Sequence, residues 1–418
     1  MERVWMDLGF GPADILLPAD CDMTKWSVVA CDQYTAQPDY WRRVAATVGD
    51  APSSLKLILP ESKLAGEGVE KAIDEVNKTM LSYVKDNGFT ELEDTLIYVE
   101  RRLDNGKIRH GLVGAVDLEQ YDFHPGAHSL IRATEGTVLE RIPPRVAVRE
   151  HAPIELPHVL LLTDDPQQTA LEPLSAQTDE MKQLYDFDLM EHGGHLTGWQ
   201  LTAAQKTAVR EALAALAERG NFEARYGAEG KPVLLFAVGD GNHSLATAKA
   251  CYEKDKGNPL ARYALVELTN LHDESLTFEP IHRVLFDVNP EKVLAALLSA
   301  FPHAHLGAGE GHSFAFVSQA GEGVITVPQP DQQLPVGTLQ QFLDGYLEKE
   351  TGILDYIHGE EVLRELSRKP GALGFILPPM SKNALFPTVI FDGVLPRKTF
   401  SMGDAQDKRF YLEARKIK

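Results

Sequence analysis

Residues Val233–Tyr252 read VLLFAVGDGNHSLATAKACY, and the rest of the chain is understood from them. Val233–Val238 is an unbroken apolar run, the pattern of a strand buried on both faces. Gly239-Asp240-Gly241-Asn242-His243-Ser244 follows, six small or polar residues. Leu245–Glu253, rich in Ala and Lys, predicts a helix with Ser244 or Asn242 as its N-cap. Strand, glycine-bearing turn and helix start together form a ligand-site architecture. The helix N-terminus offers N–H groups and the positive end of a dipole to an anion. The glycines let the backbone approach a ligand closely. Asp240, Asn242, His243 and Ser244 stand at the carboxyl end of the strand, where open α/β sheets place ligands. The same residues also suit ordinary turn and cap chemistry. The turn is not a Walker A loop, since no Gly-Lys-Ser/Thr follows, and it lacks Gly-x-Gly-x-x-Gly.

Composition narrows the class. A chain of 418 residues with 44% hydrophobic and 24% charged residues reads as a soluble globular protein of two or three domains. A formal charge of −20 argues against nucleic-acid and anionic-membrane partners. The start MERVWMDLGF has no basic and apolar leader pattern, and no apolar run reaches the length of a membrane span. Cys21, Cys31 and Cys251 are scattered, without a CxxC, as in a cytoplasmic protein with reduced thiols.

Strands are predicted at Asp14–Pro18, Trp26–Ala30, Leu55–Pro60, Thr95–Arg102, Ile108–Leu118, Pro157–Thr163 and Tyr263–Asn270. Leu276–Phe278 and Val284–Phe286 add two short ones. Asp104-Asn105-Gly106 predicts a tight type I′ hairpin turn. Helices are predicted at Val69–Asn87, Thr178–Leu189 and Thr202–Arg219, with another starting at Pro38–Val44. Cys31-Asp32-Gln33-Tyr34 reads as either a turn or a pocket wall. Arg132, Glu135, Thr137, Arg141 and Arg145 form a polar, basic segment in an acidic chain, suited to an anion or to internal salt bridges. His192 and His195 flank two glycines that break any helix able to align them on a metal. His272, His282 and Arg283 lie near ends of predicted strands, where they can join His243 in one cleft. Val288-Asn289-Pro290 marks a boundary. The fold class is α/β: a main mixed-sheet domain at 1–288, a smaller α/β region at 289–390, and a tail at 391–418 that packs back on the main domain.

The motifs resemble those of the domain of unknown function 1015 family. Asp240-Gly241-Asn242-His243-Ser244 resembles its Asp-Gly-His-His-Arg motif. Val28–Tyr34 is similar to an early Val-Val-Ala segment, and Arg132-Ala133-Thr134-Glu135-Gly136-Thr137 to an Arg-x-x-Glu-x-Thr segment. Thr269–Arg283 resembles a segment ending in His-Arg, and Pro396-Arg397-Lys398 a Pro-x-Lys-Ser/Thr ending. More distantly, the central motif is similar to that of the ParB/sulfiredoxin-like superfamily, which includes the free-serine kinases. That resemblance implies a ParB/sulfiredoxin-like core and nucleotide phosphates at the helix N-terminus. Asn242 and Ser244 replace a His and the Arg of that motif. The lost Arg removes a bidentate phosphate donor, so another cation must replace it.

Three functions stay open. The first is a nucleotide- or phosphate-dependent enzyme, in particular a small-molecule phosphotransferase using ADP or ATP with Mg²⁺. Here Asp240, His243 and Glu135 are the catalytic candidates. Gly241, Asn242, Ser244, Arg132, Thr137, His272, His282, Arg283 and Lys398 are the ligand-binding candidates. The second is a sensor that binds the same small molecule without turnover. The third is a metal-dependent hydrolase on His243, His272 and His282, although no pair shows helical ligand spacing. No resident metal site is expected, and the sequence leaves the oligomeric state open.

Overall fold

The computed structural model describes residues 3–35, 37–61, 64, 68–86, 88–136 and 142–418. They form a mixed α/β chain that divides into two units. One comprises Met1–Leu276 with Asp404–Lys418, the other Thr277–Gly403. Residue 288, expected as a boundary, lies inside the second unit.

The first unit is built on a ten-stranded sheet. The strands used below, in chain order, are β1 (Val28–Val29), β2 (Ile97–Arg102), β3 (Ile108–Asp117), β4 (Ile131–Ala133), β5 (Leu160–Thr163), β6 (Phe236–Asp240) and β7 (Tyr263–Asn270). The short β1 lies outside the large sheet. Helix α1 spans Ile142–Arg149 and helix α2 spans Asn242–Lys254. The large sheet runs Lys182–Asp188, His195–Gln200, β2, β3, β7, β5, β6, β4, Tyr121–Asp122, with Phe10–Gly11 pairing β3 beside this path as the tenth strand. Its centre mixes directions: β6 is parallel to β4 and antiparallel to β5, while β5 is parallel to β7. Alternation along each strand feeds two cores. Ile97, Val99, Val113 and Ala115 enter one, and Tyr98, Leu112 and Val116 the other.

Residues Asp404–Lys418 thread back through this unit. Phe410–Tyr411 pairs antiparallel with β1, and Arg415–Lys416 pairs with Ile154–Glu155. The basic residues of the segment meet interior acids. Arg409 binds Glu267 and Glu413 at 2.8 and 2.6 Å, and Arg415 binds Glu155 at 2.7 Å. Trp26, fully buried, donates its indole N–H to Leu412 C=O.

The second unit is a seven-stranded sheet around Phe278–Phe286, a single strand where two short ones were expected. That strand pairs with Ile353–His358, Leu373–Ile376 and Phe400–Met402, all antiparallel.

Several local expectations are corrected. Thr178–Leu189 is not a helix: a 3₁₀ segment, Glu172–Glu180, leads into the strand Lys182–Asp188. Edge pairing with His195–Gln200 and the bond from Tyr185 OH to buried Glu413, 2.6 Å, override helix propensity there. Leu55–Pro60 forms no strand, and Ser54–Lys56 is a 3₁₀ turn held by Ser54 Oγ on Trp26 C=O. The β2–β3 connection is not type I′. Of its residues only Gly106 has positive φ, +81°, the single left-handed residue of a type I turn with a bulge.

Candidate functional site

The central turn forms two residues later than its apolar run suggests. The strand is Phe236–Asp240, because its partners β4 and β5 begin and end opposite those residues. The N-cap of α2 is Gly241 at φ +82°, so Asn242, His243 and Ser244 occupy the first helical turn. Only glycine suits this point. A β-carbon there would lie 3.0 Å from Val159 Cα and 3.1 Å from its Cγ2. With glycine as cap, no side chain of the cap itself covers the first-turn N–H groups.

Asn242 is a staple. Its side-chain oxygen accepts from Thr134 N–H at 3.2 Å and its amide donates to Thr134 Oγ1 at 3.3 Å. Thr134 Oγ1 in turn donates to Val238 C=O at 2.6 Å. The carboxyl ends of parallel β4 and β6 are thereby locked together, which brings half-buried Glu135 to the turn's edge. Asp240 accepts from Gly241 N–H at 3.1 Å and meets Lys408 Nζ at 3.4 Å, both side chains mostly covered.

Lys408 comes from the returning C-terminal segment and also faces Asp32, which follows β1. Burial alone would raise the Asp32 carboxyl. His158, the hydrogen bond from Gln33 at 3.1 Å and Lys408 outweigh it and hold the group below its ordinary value. Tyr411 OH accepts from Cys31 N–H at 3.2 Å and lies 2.8 Å from His158 Nδ1. His158 in turn precedes Val159, the residue against the Gly241 turn. Arg145 of α1 binds Glu61 at 2.7 Å, and both bear electrostatically on Cys31. Burial and Asp32 push the Cys31 thiol up to about 12, so it is no nucleophile at neutral pH. Tyr34, two residues past Asp32, sits at φ +53°, strained for an aromatic residue. The arrangement can hold an anion at the turn, neutralise it with Lys408, and present one sequestered carboxylate, Asp32, beside it.

Several expected contributors are engaged elsewhere. Arg132 turns towards the opposite end of β6, where its guanidinium donates to the carbonyls of Ser129, Pro232 and Val233 at 2.9, 2.9 and 3.1 Å. Burial lowers it to about 10. His272 also belongs to that opposite end. It follows Asn270, which pairs with Thr163, and Thr163 pairs with Phe236 rather than Asp240. Its Nε2 lies 2.6 Å from Asp164 Oδ1. His282, Arg283 and Lys398 belong to the second unit. Leu377 N–H donates to His282 Nδ1 at 3.2 Å. Arg283, fully buried, donates to Gln340 and to the carbonyls of Ile281, Arg397 and Lys398. These bonds shape the turn where Lys398 stands at φ +56°. For the metal reading on His243, His272 and His282, no group of three metal-capable side chains occurs among the described residues. Thr137 and Arg141 lie outside the described residues.

A family model described as a protein of unknown function, DUF1015, matches residues 16–346. The chain belongs to that family. No curated protein matches it. Among solved structures, a free serine kinase in complex with AMP is similar at 12% identity and TM-score 0.38, over 73% of this chain and 90% of that one. A conserved hypothetical protein from Pyrococcus furiosus is similar at 12% and 0.37, over 73% and 94%. SbnI with C-terminal truncation, from Staphylococcus aureus, is similar at 11% and 0.38, over 72% and 85%. Likeness of this degree leaves the site to be read from its own residues. Among the described residues no helix is long and apolar enough to cross a membrane.

Of the residues gathered at this candidate site, Lys408 and His158 were not singled out by the sequence reading, and Asp32 was named only within a segment read as a turn or a pocket wall. Lys408 lies beyond the matched span and reaches the turn only because Phe410–Tyr411 pairs with β1. Asp32 carried one local signal, a polar cluster placed directly after a buried apolar run.

Proposed function

We propose that the turn at Asp240–Ser244 binds the phosphate of a nucleotide or similar phosphorylated small molecule, and that the protein is a small-molecule phosphotransferase. The observation that carries this reading is the Lys408–Asp240 pair, 3.4 Å, at the glycine-capped start of α2, with Asp32 within electrostatic reach of the same lysine. The backbone N–H groups of Asn242 and Ser244 take the phosphate, Gly241 lets it approach closely, and Lys408 supplies the cation that neither Ser244 nor Arg132 provides. Glu135 and His243 flank the ligand. A magnesium nucleotide takes one or two carboxylates beside its phosphates, and Asp240 would meet that demand, leaving Asp32 free to act as the base. When bound, the ion would neutralise phosphate charge.

In the transfer, an acceptor hydroxyl oxygen forms a bond to the terminal phosphorus and its proton passes to the Asp32 carboxylate. The bond from that phosphorus to the bridging oxygen breaks, and the nucleoside diphosphate leaves when the donor is ATP, the monophosphate when it is ADP. A carboxylate of low pKa suffices, because phosphoryl transfer draws mainly on positioning and charge neutralisation.

The test is calorimetric titration of ADP, ATP and inorganic phosphate, followed by phosphorus NMR with hydroxyl-bearing acceptors. Wild type is expected to bind a nucleotide, and Lys408→Ala to bind it at least about tenfold more weakly, the loss of one charge-assisted contact. Asp32→Asn should keep binding and lose turnover. Absence of binding at millimolar nucleotide and phosphate refutes the reading. Binding without any product, over a broad acceptor set, makes the protein a sensor instead.

A further inference from the structure

A second charged cluster lies within the first unit. Arg101 of β2, Arg109 of β3, Glu267 of β7, and Arg409 and Glu413 of the C-terminal segment all line one cavity, with Val99, Leu189, Leu196, Phe410 and Leu412 completing it. All five charged side chains are at least nine-tenths buried. Three arginines face two glutamates, so the lining carries one positive charge more than it neutralises.

The surplus is traceable atom by atom. Arg409 spends itself on both glutamates and on the carbonyls of Pro157 and Phe410. Arg101 donates only to carbonyls: Gly193, Gln406, Asp407 and Lys408. Burial, with Arg109 nearby, lowers it to about 9. Asp407 lies close to Arg101 but outside the lining, and its carboxylate accepts from Asp404 N–H at the surface turn. Arg109 donates one N–H to Asp407 C=O at 2.8 Å, and its Nε, 3.6 Å from Glu267, has no hydrogen-bond partner among the described residues. The Glu267 and Asp407 carboxylates attract Arg101 without a hydrogen bond to it; a buried N–H donor without an acceptor and a buried excess of positive charge are each costly. Both costs fall at one small cavity with space for about a single water-sized occupant.

We propose that this cavity is a binding site for one small monovalent anion, a halide, held by Arg109 Nε–H and by the surplus charge of Arg101. The apolar walls suit a weakly hydrated ion and exclude a polyatomic oxyanion by size. The site is independent of the phosphate reading, since it shares no side chain with the Asp240 turn.

The experiment uses the full chain at fixed ionic strength, with gluconate exchanged for chloride or bromide. Wild type is expected to show a saturable rise in Tm of a few degrees. Crystals grown in bromide are expected to give one anomalous peak in the cavity, in reach of Arg109 Nε. Arg109→Met makes the lining neutral and should abolish the halide response. Glu413→Gln increases the surplus and should shift the response to lower halide concentration. No anomalous peak at saturating bromide, with a water in its place, overturns the proposal. So does an unchanged halide response in Arg109→Met. The wild-type measurements decide the matter even if a variant fails to fold.

Discussion

Replacing Gly241 by alanine tests whether the turn is fixed by backbone conformation and close approach together. Gly241 stands at φ +82° and Gly106 at φ +81°, so alanine pays the same left-handed penalty at each, about 1–2 kcal/mol. Their surroundings differ. Nothing lies within 4 Å of a β-carbon at 106, whereas one at 241 meets the Val159 main chain at 3.0 Å. That atom cannot swing aside, because Val159 C=O accepts from Glu267 N–H at 3.0 Å in the centre of the sheet. Relief by backbone shift adds a further ~1–2 kcal/mol. Alanine is also a poorer N-cap than glycine, while its stiffer unfolded chain returns about 0.5 kcal/mol at both sites. The expected costs are therefore about 1 kcal/mol for Gly106→Ala and about 2–3 kcal/mol for Gly241→Ala. Urea unfolding of the two variants, followed by tryptophan fluorescence, reads the difference as a midpoint lower by about 0.5 M for Gly241→Ala at equal slope. Equal midpoints would refute the close-approach argument and leave only a shared conformational penalty.

Other perturbations separate the roles assigned above. Arg132→Ala removes three bonds to carbonyls at the far end of β6, so it should lower stability by about 2–3 kcal/mol in urea unfolding and leave nucleotide affinity unchanged. A parallel loss of affinity would return Arg132 to the binding site. Asn242→Ala cuts the staple to Thr134 and should cost about 1–2 kcal/mol and weaken nucleotide binding, since the first turn of α2 is no longer fixed against β4. In the second unit, burial lowers His282, whose Nδ1 must stay unprotonated to accept from Leu377 N–H. Its contribution is whole above the ordinary value of 6.5 and drains as pH falls through the lower folded value. Amide exchange at Leu377 should accordingly quicken, relative to intrinsic rates, between neutral pH and pH about 5; a flat profile would contradict this. In the first unit, burial raises Glu155 and Glu267, but their arginine partners outweigh it and bring both below 4.5. Their stabilisation is complete above that value and lost as pH falls through the lower folded values, which should detach Asp404–Lys418 first, visible as early exchange of the Phe410 and Arg415 amides.

What the sequence disclosed and what it hid divide along the range of the interactions. Tyr263–Asn270 and the α2 region announce themselves locally, because apolar runs and helix formers act within a few residues. Lys182–Asp188 misleads for the opposite reason. Its strand state is imposed by pairing with His195–Gln200 and by a bond to Glu413, 228 positions away. The candidate site follows the same rule. Asp240 to Ser244 were legible, since a glycine turn between strand and helix is a local pattern. Arg132 was misassigned because its position on β4, next to the turn in sequence logic, does not say which end of the strand its side chain reaches. Lys408 was invisible, since it arrives by pairing of Phe410–Tyr411 with Val28–Val29. That pairing has a physical consequence for the site. A lysine held by a distant segment reaches the turn only after the first unit has assembled, so the anion binding proposed at Asp240–Ser244 would depend on the fold of the unit and not on the loop alone. The loop excised as a peptide keeps its glycines and helix start, supplies about 1 kcal/mol or less of anion attraction, and lacks both the cation and the carboxylate that give the folded turn its chemistry.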